Sequence, residues 1–127
     1  MTESQKALAD AAWSARSRAR ILGTTAVGCA VRSSTGSIFA GCNVEHSYRS
    51  HDMHAETNTI GTMVAAGHQV LAVVFVAAER ERFTPCGACM DWIFEFGGPG
   101  CVVMWQNTPG GPIRKLTAAE LMPHYPC

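Results

Sequence analysis

The sequence predicts an α/β fold in which helices cover both faces of a β-sheet, and three observations carry that expectation. Val70–Ala77 and Cys101–Trp105 are continuous apolar runs, the pattern of strands buried on both faces. Segments of helical spacing precede, separate and follow them. Two further apolar runs flank the turn Ser34-Thr35-Gly36 and read as a β-hairpin. Helices alternating with buried strands place a sheet between helical layers.

Each element follows in order. Residues 4–20 read as a helix, because Ala7, Leu8, Ala11, Ala12, Ala15 and Ala19 recur at three- and four-residue steps. Thr2 followed by Gln5 suits a capping box at its start. Arg16, Arg18 and Arg20 fall at its end, where cations complement the helix dipole; they read as a solvated face, with phosphate binding as the lesser alternative. Ala26–Arg32 and Ser37–Cys42 form the hairpin, and residues 55–66 form a helix that stops at Gly67. After the strand Val70–Ala77, a helix follows Pro85 and ends at Gly97-Gly98-Pro99. Cys101–Trp105 is the next strand, and 117–122 a short helix beyond the turn Pro109-Gly110-Gly111-Pro112, with room for one more strand between. No repeat, low-complexity tract or linker interrupts the chain, so residues 1–127 are expected to form one domain.

Composition narrows the function. Apolar residues make up 47 % and charged residues 16 %, too apolar for a disordered chain. Ten basic residues balance ten acidic ones, which argues against a nucleic-acid binder with its basic footprint. Low surface charge favours self-association. No apolar run reaches the roughly 18 residues of a membrane span. The opening Glu3, Lys6 and Asp10 do not form a secretion leader, so a cytoplasmic location is expected.

Six cysteines, at 29, 42, 86, 89, 101 and 127, read in that setting as thiols or metal ligands rather than disulfides. Only Cys86 and Cys89 stand at ligand spacing, one helical turn apart at a helix start behind Pro85. The helix dipole there favours the thiolates that zinc needs. A catalytic zinc takes three protein ligands, and His54 is the best third one. His54 and Glu56 are two residues apart and share no helix face, so both can address one ion only at a helix entry. Glu56 would then shuttle a proton to and from water rather than ligate. A redox pair or buried thiols remain open for Cys-x-x-Cys alone, and a structural zinc would need His51 or Cys101 as a fourth ligand. The joint pattern, His-x-Glu followed about thirty residues later by Pro-Cys-x-x-Cys, is far more specific than its parts and is the general signature of zinc-dependent deaminases.

From about residue 20 onward the chain resembles the cytidine deaminase family. The shared elements are Val27-Gly28-Cys29-Ala30, Phe39-Ala40-Gly41-Cys42-Asn43-Val44-Glu45, His54-Ala55-Glu56, Pro85-Cys86-Gly87-Ala88-Cys89 and Glu120-Leu121-Met122-Pro123. The resemblance implies a three-layer α/β/α fold around a mixed five-stranded sheet. It implies zinc held by His54, Cys86 and Cys89, with Glu56 as the catalytic proton shuttle. Substrate binding is implied for Asn43, Glu45 and Ala55, the first two at the ribose hydroxyls. The plainer alternative has Asn43 making a turn and Glu45 capping the loop before His54. A homotetramer is also implied, with Tyr125 near a neighbouring subunit's pocket.

Four departures stand out. Short family members usually have Cys at the position of His54 and Arg at that of Thr57. One imidazole and two thiolates already neutralise a dication, so these two changes explain each other. Thr25-Ala26 replaces the usual Phe-Pro, which removes an aromatic wall from the base pocket; blasticidin S deaminase, a relative, lacks that Phe too. His46, Tyr48, Arg49 and His51 fill a loop that is usually less basic, read as an exposed loop or else as an altered specificity loop. The expected activity is zinc-dependent hydrolytic deamination of a cytosine nucleoside, cytidine or deoxycytidine. The alternatives are a modified or antibiotic cytosine nucleoside, a nucleic-acid deaminase, or a non-catalytic zinc module. The expected partners are a small nucleoside and copies of the chain, with no nucleic acid and no membrane.

Overall fold

The computed structural model describes residues 1–81 and 83–126. Helix α1 (Glu3–Arg16) leads into strands β1 (Gly28–Ser33) and β2 (Ile38–Cys42), then helix α2 (Ala55–Ala65) and strand β3 (Leu71–Ala77). Helix α3 (Gly87–Gly97), strands β4 (Val102–Gln106) and β5 (Arg114–Thr117) and helix α4 (Ala118–Leu121) complete the order. The sheet runs β2-β1-β3-β4-β5, antiparallel throughout except for the parallel pair β3–β4. That parallel pair requires a crossover, which α3 provides. A mixed five-stranded sheet between helices is the three-layer α/β/α fold expected.

The two layers divide the apolar side chains. Leu8, Ala9 and Ala12 of α1 pack on Ala30, Phe75, Ala77 and Met104 of one sheet face. Ile60 and Met63 of α2 and Met90 and Ile93 of α3 cover the other face over Val31, Val74, Val76 and Val103. Small residues let the layers close. A Cβ on Gly28 would stand 2.0 Å from the Ala12 carbonyl oxygen, so only glycine admits α1 this near β1. On the opposite face a Cβ on Gly41 would stand 2.7 Å from Thr59 Oγ1, which seats α2 against β2.

The capping box at Thr2 and Gln5 forms as expected, and Thr117 with Glu120 makes a second one on α4. The first helix is shorter than its periodicity implies, ending at Arg16 rather than Arg20. Extended pairing outcompetes helix propagation there. Arg20 donates its backbone N–H to Asn43 O and accepts from Glu45 N at 2.8 Å, while Arg16 Nε binds Ala26 O at 3.0 Å. The arginines therefore do not share one helix end; Arg16 and Arg20 fasten the 17–27 connection. The remaining strands and helices fall within two residues of expectation, and the optional strand is β5. Among the described residues no helix is long and apolar enough to cross a membrane.

Candidate active site

Two helix starts meet at one point. His54 is the N-cap of α2 (φ −74°, ψ 152°) and Cys86 the N-cap of α3 (φ −71°, ψ 171°), both extended and neither spending its side chain on a capping bond. Such a residue lies outside the helical repeat, so its side chain is free to point across the helix end. Cys89, one turn into α3, is fully buried behind them. His54 Nδ1 lies 3.3 Å from Cys89 Sγ and 3.4 Å from Cys86 Sγ. The three ligand atoms all fall within 4.8 Å of one another, and no fourth ligand joins them among the described residues.

This donor set fits zinc. Zn–N bonds near 2.0–2.1 Å and Zn–S bonds near 2.3 Å imply N···S spacings of about 3.6 Å in a tetrahedron, a few tenths beyond those observed. Two sulfurs and one imidazole match its borderline softness and leave one position open. Burial drives the Cys89 thiol well above its usual range, with the Glu56 carboxyl and Cys86 adding to the effect. A bound dication reverses that balance and holds the thiolate. His51 and Cys101, the alternatives for a structural fourth ligand, stay apart. His51 is exposed beside Ser50, and Cys101 is buried against Gly97, its thiol pushed up to about 12 by desolvation.

Glu56 follows in the first turn of α2 and is 4 % exposed. Burial lifts its carboxyl above the ordinary carboxylate range, opposed in part by its own backbone N–H and by His54. A carboxyl tuned upward is better matched to taking and returning a proton near neutrality. It is not one of the three ligand atoms.

A cavity of about 300 Å³ brings His54, Ala55, Glu56 and Cys86 together with Asn43 and Glu45. That volume suits a small molecule. The 43–45 segment is extended, pairing through Val44 with Met53 on one side and Arg20 on the other. Side chains two apart on such a segment face the same way, and here both face the cavity. Both also work inside the protein. Asn43 Oδ1 accepts from Val27 N at 2.9 Å, and Nδ2 donates to Thr25 O at 2.8 Å. Glu45 Oε1 accepts from Leu22 N at 2.6 Å and Gly23 N at 2.8 Å, bonds that hold its carboxylate below its usual range. The loop before His54 is instead closed by Asp52, whose Oδ1 accepts from His46 N at 2.7 Å.

Four lining residues carried no functional reading in the sequence, Met53 beside His54 among them. Phe83 and Thr84 come from the segment before Pro85, and Asp52 from the loop before His54. An aromatic two residues ahead of Pro-Cys-x-x-Cys was the available sign for Phe83. Thr25 lines the cavity as well, and Phe83 is the aromatic residue among the described lining residues.

An α/β/α sandwich with two cysteines, a histidine and a buried glutamate at converging helix starts is the arrangement of hydrolytic zinc deaminases. Residues 2–105 match the cytidine and deoxycytidylate deaminase zinc-binding region. A cytidine deaminase of Sporosarcina psychrophila is 34 % identical over 98 residues, covering 76 % of this chain and 71 % of that protein. The crystal structure of cytidine deaminase from Burkholderia pseudomallei superposes with a TM-score of 0.85 at 32 % identity, covering 98 % of each chain. A blasticidin-S deaminase of Bacillus cereus is 28 % identical over 76 % of this chain and 74 % of its own. The chain belongs to the cytidine deaminase family, and its class is that of zinc-dependent deaminases, which are hydrolases.

Proposed function

We propose that this chain converts a free cytosine nucleoside, cytidine or deoxycytidine, to the uracil nucleoside and ammonia, acting as one domain over residues 1–127. The observation that carries the reading is the meeting of Glu56, His54 and Cys86 with Asn43 and Glu45 in a single cavity, with Cys89 beside His54 and Cys86. Zinc held by His54, Cys86 and Cys89 supplies a Lewis acid that makes water a competent nucleophile near neutral pH. Glu56 accepts the proton that water gives up on adding to C4 of the ring, and delivers it to N3. In a second transfer Glu56 takes the proton of the new C4 hydroxyl and gives it to the amino nitrogen; C4=O forms as the C4–N bond breaks, and ammonia leaves. Ala55 and Phe83 border the same space and offer apolar contact to the base.

Asn43 retains one N–H and one lone pair beyond its two internal bonds, and Glu45 retains lone pairs on its second oxygen. These groups are offered to sugar hydroxyls. A ligand without the sugar leaves them unpaired, at about 1–3 kcal/mol for each group. Wild type is therefore expected to favour cytidine over cytosine by about 5- to 150-fold per contact, and Asn43→Ala and Glu45→Ala to lose most of that ratio. Using the ratio cancels the general loosening that both changes bring to residues 20–27. Equal wild-type activity on the free base would refute the nucleoside reading. The small Thr25 favours a second reading, a bulkier cytosine nucleoside, which the same panel tests by including one.

A free nucleoside rather than a nucleic acid is supported by the zero formal charge. A cytoplasmic setting is supported by the described cysteines, all free, two of which serve as proposed ligands. The homotetramer is supported by exposed Trp92 stacked on Phe96 and by Tyr125 stacked on Phe94 at 4.1 Å, an aromatic surface along α3. Light scattering at micromolar concentration is expected to give four times the chain mass; a monomer mass contradicts it.

A further inference from the structure

The loop between Glu45 and His54 carries two charged side chains, Arg49 and Asp52, that the proposed reaction does not use, and ties them to Glu45. Arg49 Nη2 lies 3.1 Å from Glu45 Oε2, and Arg49 Nε lies 2.9 Å from Asp52 Oδ2. All three side chains line the cavity. The two carboxylates are sheltered, at 9 % and 17 % exposure, while the guanidinium is 55 % exposed. Apart from the His54 imidazole, Arg49 is the lone cation among the described cavity-lining residues, against Glu45, Asp52 and the buried Glu56. One guanidinium between two carboxylates leaves one formal negative charge at this wall, and its Nε and Nη2 groups are turned to those carboxylates.

We propose that Asp52, by holding Arg49 against Glu45, makes the cavity reject phosphorylated nucleosides and fixes the uncharged nucleoside as the substrate class. The proposal rests on the nucleoside deaminase reading above. A phosphate monoester carries about −1.5 to −2 charges near neutral pH. Inside this cavity it meets net negative charge, with no free cation among the described lining residues. An uncharged hydroxymethyl group meets no such opposition. Asp52 is suited to set this balance because its other oxygen is fixed by His46 N, which keeps the carboxylate in place. An asparagine there can keep its Oδ1 as the acceptor for His46 N, but its Nδ2 is a donor where Arg49 Nε needs an acceptor, so both the charge and the Arg49 bond are removed and Arg49 is left with a single acidic partner.

The experiment measures kcat/KM for deoxycytidine and for deoxycytidylate with zinc-loaded wild type, Asp52→Asn and Arg49→Gln, at low and high salt. Wild type is expected to favour the nucleoside. Asp52→Asn is expected to raise the nucleotide-to-nucleoside ratio roughly tenfold or more, and Arg49→Gln, which exposes both carboxylates, to lower it. Half-molar salt should shrink the wild-type preference, since screening weakens charge effects at an exposed rim. A loop that merely folds the site would change both substrates together and show no salt dependence in the ratio. An unchanged ratio in Asp52→Asn, or a wild type that prefers the nucleotide, overturns the inference while leaving cytosine deamination standing. No ammonia from either substrate overturns both.

Discussion

Replacing Glu56 by alanine is expected to leave a folded, zinc-containing protein that has lost at least about 10⁴-fold in kcat. General acid–base catalysis by one positioned group contributes roughly 10²–10⁴-fold. In the proposed mechanism Glu56 serves twice, once toward the attacking water and once toward the ring nitrogen and departing amine, so the loss belongs at or above the top of that range. Burial is what makes the residue hard to replace. At 4 % exposure the side chain has little bulk solvent to stand in for it, and its carboxyl is raised by the same desolvation. Absorbance change on cytidine, with metal content measured on the same sample, separates lost chemistry from lost zinc. Near-normal turnover in Glu56→Ala would remove the proposed mechanism.

Serine in place of Cys86 or Cys89 is expected to abolish stoichiometric zinc and, with it, all measurable deamination. A hydroxyl is a far poorer ligand than a thiolate for this borderline-soft ion. Changing an outer hydrogen-bond partner of a ligand already costs about 10–100-fold in metal affinity, and losing the ligand itself costs more. Cys29, Cys42 and Cys101 provide the control. They are core or strand thiols outside the ligand trio, and their serine variants should keep one zinc per chain. Cys127, read from the sequence as dispensable for metal, lies outside the described residues. Atomic emission on purified protein decides the matter, and full zinc in Cys86→Ser and Cys89→Ser would place the metal elsewhere.

Much of this arrangement was readable before any coordinates, for definite reasons. Buried strands announce themselves as apolar runs, and Val70–Ala77 and Cys101–Trp105 mark β3 and β4 closely. The ligand trio was legible because its members must sit at helix starts, and Pro85 and the spacing of His54 and Glu56 imply such places. What was hidden depended on pairing across the chain. Nothing local to Arg20 says that it pairs with Val44, so the alanine-rich periodicity overran the true end of α1. Asp52 was overlooked for the same reason: its meaning comes from Arg49 and His46 around it, and no spacing rule isolates it. Phe83 depends on a loop path, which periodicity does not encode.

The outer strand β5 has a bearing on how copies of the chain meet. It is four residues long and places Arg114 and Lys115 side by side, exposed, at the end of the sheet. An open strand edge invites a second strand to continue the ladder, and adjacent cations are one of the ways proteins prevent this. A second copy of β5 arriving antiparallel in full overlap would gather two arginines and two lysines on one four-residue ladder, an unfavourable crowding of like charge. The sheet thus ends where β5 ends. The charge on this edge opposes splicing of two β5 ladders into a longer sheet, which leaves the meeting of copies to the helical surfaces, the loops or the other sheet edge at β2.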